Sequence, residues 1–312
     1  MPSARRVVGA AYLVFLLFGL AVTPRVLGDL RQVPQAELTR SRIGERLGAI
    51  QERYRRFATE TQDLWFRVEK IRIAYGVSNE LEGPPELVQP PGAFPQSIYL
   101  EEIRETARLA SQARLAIGEL EAGVTELQEL ERGEPERVGS TPSLSPVLGE
   151  FVLTSGMGPR ASPFTGIEEY HTGADLSAPV GTVVRAPADG RVLFTGRFRI
   201  RQRSAWWRFG KMVAVAHGDR FITLYGHLDE IRVRRGQRIE RGADIGTVGE
   251  SGVSANPHVH YAVWRRDDLG GYEPVDPRLF MMDRRWSDEE PLLSATEAPE
   301  SWRYEGLPRA LR

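Results

Sequence analysis

In Pro257-His258-Val259-His260 two imidazoles stand two residues apart. On an extended strand they project from one face, because strand side chains alternate. Such a pair can offer metal donors and a proton acceptor to a single cleft. The chain has 5 histidines. Two others lie in polar turns, His171 in His171-Thr172-Gly173-Ala174-Asp175 and His227 in Tyr225-Gly226-His227-Leu228. The fifth, His217, follows the apolar run Val213-Ala214-Val215-Ala216 with no ligand-type partner at close spacing, and reads as structural. In an extended chain His171 and Asp175 would lie roughly 13 Å apart, whereas zinc ligands each sit about 2 Å from the ion. The chain must therefore bend, and Gly173 permits the bend. Two histidines and one aspartate would form a catalytic zinc site with an open position.

With 0 cysteines, disulfides, thiolate zinc sites, a cysteine nucleophile and a lipidated cysteine anchor are all excluded. The charge balance, 41 basic against 42 acidic residues, gives a net charge of -1. It removes the overall attraction on which nonspecific nucleic-acid binding relies, so no nucleic-acid partner is expected. The 312 residues are enough for about two domains.

Arg5 and Arg6 precede the uncharged, mostly apolar run Val7 to Val22. Residues 1–28 read as an export signal or a retained membrane anchor, with the two arginines on the cytoplasmic side. We expect a protein of the periplasm or cell envelope, tethered to the inner (cytoplasmic) membrane. Ile43, Leu47, Ile50, Tyr54, Phe57, Thr61, Leu64, Val68 and Ile71 recur at steps of four and three, the seam of a long helix. A second seam runs through Ile103, Thr106, Ala110, Ala113, Ile117, Leu120, Val124 and Leu127. Between them, Pro84-Pro85 and Pro90-Pro91 forbid helix. The pattern predicts an antiparallel coiled-coil helical hairpin over 35–132 with a Pro-rich loop at 81–97. A helix of about 40 residues spans about 60 Å, enough to hold a catalytic domain away from a membrane.

Pro, Gly, Ser and Thr from Gly133 to Pro146 break the helical period, so 133–146 reads as a linker. Beyond it, short β-rich runs cut by glycines predict an antiparallel β domain over 147–282, followed by a polar tail, 283–312, with no assigned role. The expected architecture is multidomain, α plus β.

From about Pro142 to Phe280 the chain closely resembles the LytM-type (M23, lysostaphin-like) zinc metallopeptidases. Ser155-Gly156-Met157-Gly158-Pro159-Arg160 is similar to that family's entry motif, and His171 to Asp175 to its first ligand motif. Tyr225-Gly226-His227-Leu228 resembles its catalytic-histidine motif, and Pro257-His258-Val259-His260 its last. The resemblance implies an antiparallel β-sheet peptidase domain holding one Zn2+ on His171, Asp175 and His260. It implies His258 as general base, with His227 orienting or stabilising the oxyanion, and these roles can be shared. Arg160, Tyr225 and Asn256, in or beside the motifs, are expected to contact substrate. The implied activity is hydrolysis of the stem-peptide cross-links of bacterial peptidoglycan.

The family also has members that lost ligands and activate cell-wall amidases, often through a coiled coil. The alternative expectation is such a noncatalytic regulator, with the coiled coil docking a membrane or divisome-type protein. Between Gly196 and Gly210, Arg197, Arg199, Arg201, Arg203, Trp206, Trp207 and Arg208 replace the shorter glycine-rich connection of many relatives. This segment reads either as a wall of the groove or as a solvated hairpin with its tryptophans packed beneath.

Overall fold

The computed structural model describes residues 33–77, 99–199, 205–286 and 304–311. The expected anchor at 1–28 and the Pro-rich loop at 81–97 lie outside the described residues. Among the described residues three helices come first: α1 (Val33–Tyr75), α2 (Tyr99–Gly133) and the short α3 (Pro135–Ser140). Among the described residues no helix is long and apolar enough to cross a membrane. Strands follow in the order β1 (Val152–Ser155), β2 (Gly158–Ala161), β3 (Glu168–His171), β4 (Ala174–Ser177), β5 (Val183–Arg185) and β6 (Gly190–Gly196). After a 3₁₀ turn at Ala205–Phe209 come β7 (Met212–His217), β8 (Phe221–Gly226), β9 (Arg238–Ile239), β10 (Asp244–Thr247), β11 (His258–Arg266) and β12 (Tyr272–Val275).

The main sheet runs β1-β4-β11-β8-β7-β6-β9, with β12 also paired to β11. Every pairing is antiparallel, as the alternating, glycine-punctuated sequence predicts. Two small ribbons, β2-β3 and β5-β10, flank it. On β11, Val259, Tyr261 and Val263 join one buried cluster, while Ala262 and Trp264 join a second with Trp206, Met212 and Leu224. The sheet is therefore buried on both faces.

The protein forms two compact units, whose boundaries fall at Glu60/Thr61 and Ala113/Arg114 inside the two long helices. In the smaller unit Tyr54 and Ala58 pack with Leu109 and Ala113. In the larger unit α1 is part of the β domain. Trp65, Phe66 and Ala74 belong to the same buried cluster as Val259, Leu279 and Phe280. Lys70 Nζ donates to Met281 O at 3.2 Å. The end of α1 is closed by Gly76, at φ 68, where Val77 N–H reaches Arg72 O and Gly76 N–H reaches Ile73 O. That is a Schellman cap. Arg137 donates to Tyr75 O at 2.5 and 3.1 Å, satisfying a carbonyl left over at the helix end.

Three expectations need correction. The seam is kept in part: Tyr54 and Thr61 are buried as expected, but Ala58 and Trp65 are buried where Phe57 and Leu64 were expected, and Leu64 is 49% exposed. On α2, Leu109 and Ala116 replace Ala110 and Ile117. Small residues explain the shift, since a Cβ on Gly123 would stand 2.8 Å from Val68 Cγ1. The backbones approach closely only where side chains are short. The helix direction also differs. Within the larger unit Val68 meets Gly123, Arg72 pairs with Glu126 at 3.0 Å and Tyr75 meets Arg137, so these stretches run parallel. A tight antiparallel return takes about 2–5 residues. The connection 76–98 is far longer and imposes no such return. Finally, 133–146 is not a free linker. Thr141, Ser143 and Ser145 are buried, and Ser145 N–H and Oγ both reach Asp283 Oδ1, at 2.7 and 2.6 Å. Polar composition suited a linker, but these hydroxyls are spent on hydrogen bonds.

Because α1 covers the β domain's core, Phe66→Ala in the full chain should cost about 3 kcal/mol or more of stability. Denaturant unfolding measures it, and an unchanged midpoint would show that the helix adds nothing to the core.

Candidate metal and catalytic centre

The β4–β11–β8 ladder assembles the centre. Asp175 on β4 stands opposite His260 on β11, and His260 is in turn opposite Gly226 at the end of β8, the residue before His227. His171 ends β3, which belongs to a different ribbon. The chain crosses between the two sheets at Thr172-Gly173. Gly173 serves here through space rather than through φ: a Cβ would lie 2.5 Å from Tyr261 O and 2.9 Å from the His260 ring. The bend anticipated between His171 and Asp175 is thus a close backbone approach.

Three donor atoms converge. His171 Nε2 lies 3.1 Å from Asp175 Oδ1 and 3.0 Å from His260 Nδ1, and His260 Nδ1 lies 3.0 Å from the same oxygen. Ligands about 2 Å from one tetrahedral ion sit about 3.3 Å from each other, so this spacing fits a single metal ion. Among the described residues these three form the histidine and carboxylate group able to hold one. The tautomers follow from the remaining partners. His171 Nδ1 donates to Gly156 O at 2.7 Å, which leaves the Nε2 lone pair for a ligand bond. His260 Nε2 is buried without a partner beside Gly173, so the ring presents Nδ1.

Asp175 divides its oxygens. Oδ1 faces the two histidines, whereas Oδ2 accepts from Arg160 Nη1 at 2.7 Å. Arg160 is held by Ser155 Oγ at 2.7 Å and by Glu169 Oε1 at 3.2 Å. Burial opposes the Asp175 charge, and the Arg160 guanidinium on Oδ2 favours the ionised form. The donor set is therefore an ionised carboxylate and two imidazoles, all buried.

His227 and His258 face each other across the groove, with ring centroids 4.6 Å apart. His258 Nδ1 donates to Asn256 O at 2.7 Å, and His227 Nδ1 to Ser251 O at 2.8 Å. Each ring thus turns an unprotonated Nε2 toward the groove. Burial, and after it the neighbouring His258, lowers the His227 pKa to about 3 and keeps the ring neutral. His227 has φ 61, among the described residues the one non-glycine with a left-handed backbone. Such a conformation costs of order 1–3 kcal/mol and is retained where it aims a side chain. It is anchored by His227 N–H on Phe209 O at 2.7 Å.

A groove beside these residues is lined by Arg160 and Asn256 but not by Tyr225. The expected substrate contact at Tyr225 is thereby corrected. Its side chain is fully buried, packed on Tyr261 at 5.5 Å, with its hydroxyl on Thr223 Oγ1 at 2.8 Å. Strand alternation puts Tyr225 on the face away from His260's donor atom. His217 closes the same core network, 2.7 Å from Thr223 Oγ1 and 2.8 Å from Asp189 O.

Several contributors had no signal in the sequence. Phe209 lies 4.6 Å from the His260 ring, and Gly226 admits it, since a Cβ there would be 3.0 Å from Phe209 Cδ1. In the Arg/Trp segment Trp206 is buried at 5.3 Å from Phe209, while Arg208 lines the groove and lies 3.8 Å from Glu169. Both readings of that segment hold in part, the tryptophan packed beneath and the arginine on the wall. Residues Ile200–Ser204, with Arg201 and Arg203, lie outside the described residues.

Residues 169–277 match Peptidase family M23, which spans the ribbon end, all three donors and both further histidines. The β domain is thus similar to the peptidases of that family over this segment. It is 34% identical over 117 residues to the peptidoglycan DD-endopeptidase ShyA of Vibrio cholerae, covering 37% of this chain and 25% of that protein. It is 38% identical over 125 residues to the DD-carboxypeptidase/endopeptidase Mpg of Neisseria meningitidis, covering 40% and 26%. A solved zinc containing peptidase from Vibrio cholerae is 32% identical, covers 43% of this chain and 38% of its own, and gives a TM-score of 0.37. The chain spans about a quarter of the length of these two curated relatives.

Gly173→Ala is expected to lower zinc affinity about 10- to 100-fold, because the new methyl displaces the His260 ring. A competition titration with a chromophoric chelator measures it; unchanged affinity in a folded variant would show that the close approach is not needed.

Proposed function

We propose that the chain is an exported zinc metalloendopeptidase that hydrolyses peptide cross-links of bacterial peptidoglycan. One observation carries the reading: His171 Nε2, Asp175 Oδ1 and His260 Nδ1 converge within 3.1 Å of one another, and two further imidazoles open on the same groove. The relatives named as peptidoglycan endopeptidases support the substrate class. The groove mixes Arg160, Arg208, Glu168 and Glu169, which suits a peptide carrying both charges.

His171, Asp175 and His260 would hold the metal, two nitrogens and one oxygen being the donor set of a catalytic zinc. When bound, Zn2+ supplies Lewis-acid polarisation of the scissile carbonyl and acidifies water. The chain's own residues move the proton. His258 Nδ1–H is fixed on Asn256 O, so Nε2 takes a proton from the attacking water and returns it to the leaving amine as the C–N bond breaks. His227, fixed in the same sense on Ser251 O and kept neutral, accepts from the attacking water through Nε2 and orients it, so the two rings share the work. Arg160 keeps Asp175 ionised and oriented.

Residues 1–28 serve as the membrane tether, and the long helices as a coiled-coil spacer or docking surface for a membrane or divisome-type partner. An envelope or periplasmic location follows from the same substrate. The noncatalytic regulator gains no support of its own, since all three donors and both imidazoles are present.

The full chain, incubated with isolated peptidoglycan, should convert cross-linked muropeptide dimers to monomers, read by chromatography. His260→Ala and Asp175→Ala should lose zinc and turnover together. His258→Ala should keep near-stoichiometric zinc while turnover falls about 100-fold or more. Intact dimers with zinc-loaded wild type would overturn the reading, and stimulation of an amidase that survives His258→Ala would favour the regulator.

A further inference from the structure

The last described residues of the chain, 304–311, have no place in the matched family segment, yet they lie on the sheet face that carries His260. Leu307 and Leu311 are 2% and 0% exposed, packed in the cluster of Trp264, Trp206 and Leu224. A segment that buries two leucines this fully is fixed to the sheet. Burying one such side chain is worth about 1.5–3 kcal/mol.

This anchoring delivers Tyr304 to the groove. Its ring stands edge-on to Trp264, centroids 5.9 Å apart at 71°, and tilted on Tyr170 at 6.1 Å. Tyr170 immediately precedes the donor His171, and both tyrosines line the groove. An unbroken aromatic layer links them to the metal centre: Tyr304 to Trp264, Trp264 to Trp206 at 6.3 Å, Trp206 to Phe209 at 5.3 Å, and Phe209 to His260 at 4.6 Å. Tyr304 is half-buried: one part of the ring is held and the remainder faces the groove.

We infer that residues 304–311 form a wall of the substrate groove and that Tyr304 is a substrate-binding residue against which one strand of the cross-linked peptide packs. The inference rests on the peptidoglycan reading and adds a contact that lies outside the family segment. A half-buried aromatic ring offers a peptide an apolar face at low entropic cost, and such contacts discriminate in binding more than in chemistry. Tyr304 touches none of the donor atoms, so its loss should act on substrate affinity.

The test uses the zinc-loaded full chain and purified cross-linked muropeptide dimer as the probe. Tyr304→Ala is expected to raise KM, and the Kd measured by calorimetry, about 5- to 10-fold, with kcat within about twofold and zinc content unchanged. Tyr304→Phe, which keeps the ring, should restore wild-type KM. A second variant, Leu311→Ala, loosens the segment while leaving the ring in place, and should raise KM in the same sense. Wild-type KM and Kd in Tyr304→Ala would overturn the wall. A wild type that binds the dimer without cleaving it sinks the peptidase reading but leaves Kd as the readout for Tyr304. A wild type that neither binds nor cleaves overturns both.

Discussion

Asp175 and His260 face each other across the β4–β11 ladder, and a slip of one residue in that pairing would turn every side chain of β11 to the opposite face. The centre depends on this register. The same ladder seats Val259, Tyr261 and Val263 in the core, so the apolar pattern and the donor pattern are locked together. A slip would exchange the residues that pack in the two buried clusters and turn His260 away from Asp175, and the packing cost of that defends the metal geometry. Gly173 completes the constraint from the side, letting His171 arrive from a separate ribbon.

Around this register the polar groups are arranged so that each has one assignment. Gly156 O takes one nitrogen of His171, and the carbonyls of Asn256 and Ser251 take one nitrogen each of His258 and His227. Arg160 occupies the Asp175 oxygen that the histidines do not. Backbone carbonyls are rigid partners, and they set each imidazole's tautomer before a ligand arrives.

Both faces of the sheet are closed by segments that lie far from it in sequence. On one face, Trp65, Phe66 and Ala74 of α1 complete the core. On the other, Trp206 and the leucines of the C-terminal residues cover Trp264 beside the groove. The C-terminal part of α1 is therefore built into the β domain. A separately cut β fragment would leave an apolar face bare.

The sequence by itself determined which donors converge and the class of the sheet. Histidines in His171-Thr-Gly-Ala-Asp175, Gly226-His227 and His258-Val-His260 were legible because strand alternation and turn residues are local properties. The antiparallel class was legible for the same reason. Tertiary structure decided what depends on long-range pairing. Tyr225 sits one residue from a groove-facing position, yet alternation turns it into the core. The helical seam held at Tyr54 and Thr61 but shifted by one residue at Leu109 and Ala116, because heptad counting does not see which positions close packing selects. The direction of the helix pair was open because a long connection fixes no return angle. The placements of Phe209 and Tyr304 came from contacts across long sequence distances, and no spacing in the chain encodes those. Local periodicity specifies which face a side chain takes, and only the folded chain specifies what that face meets.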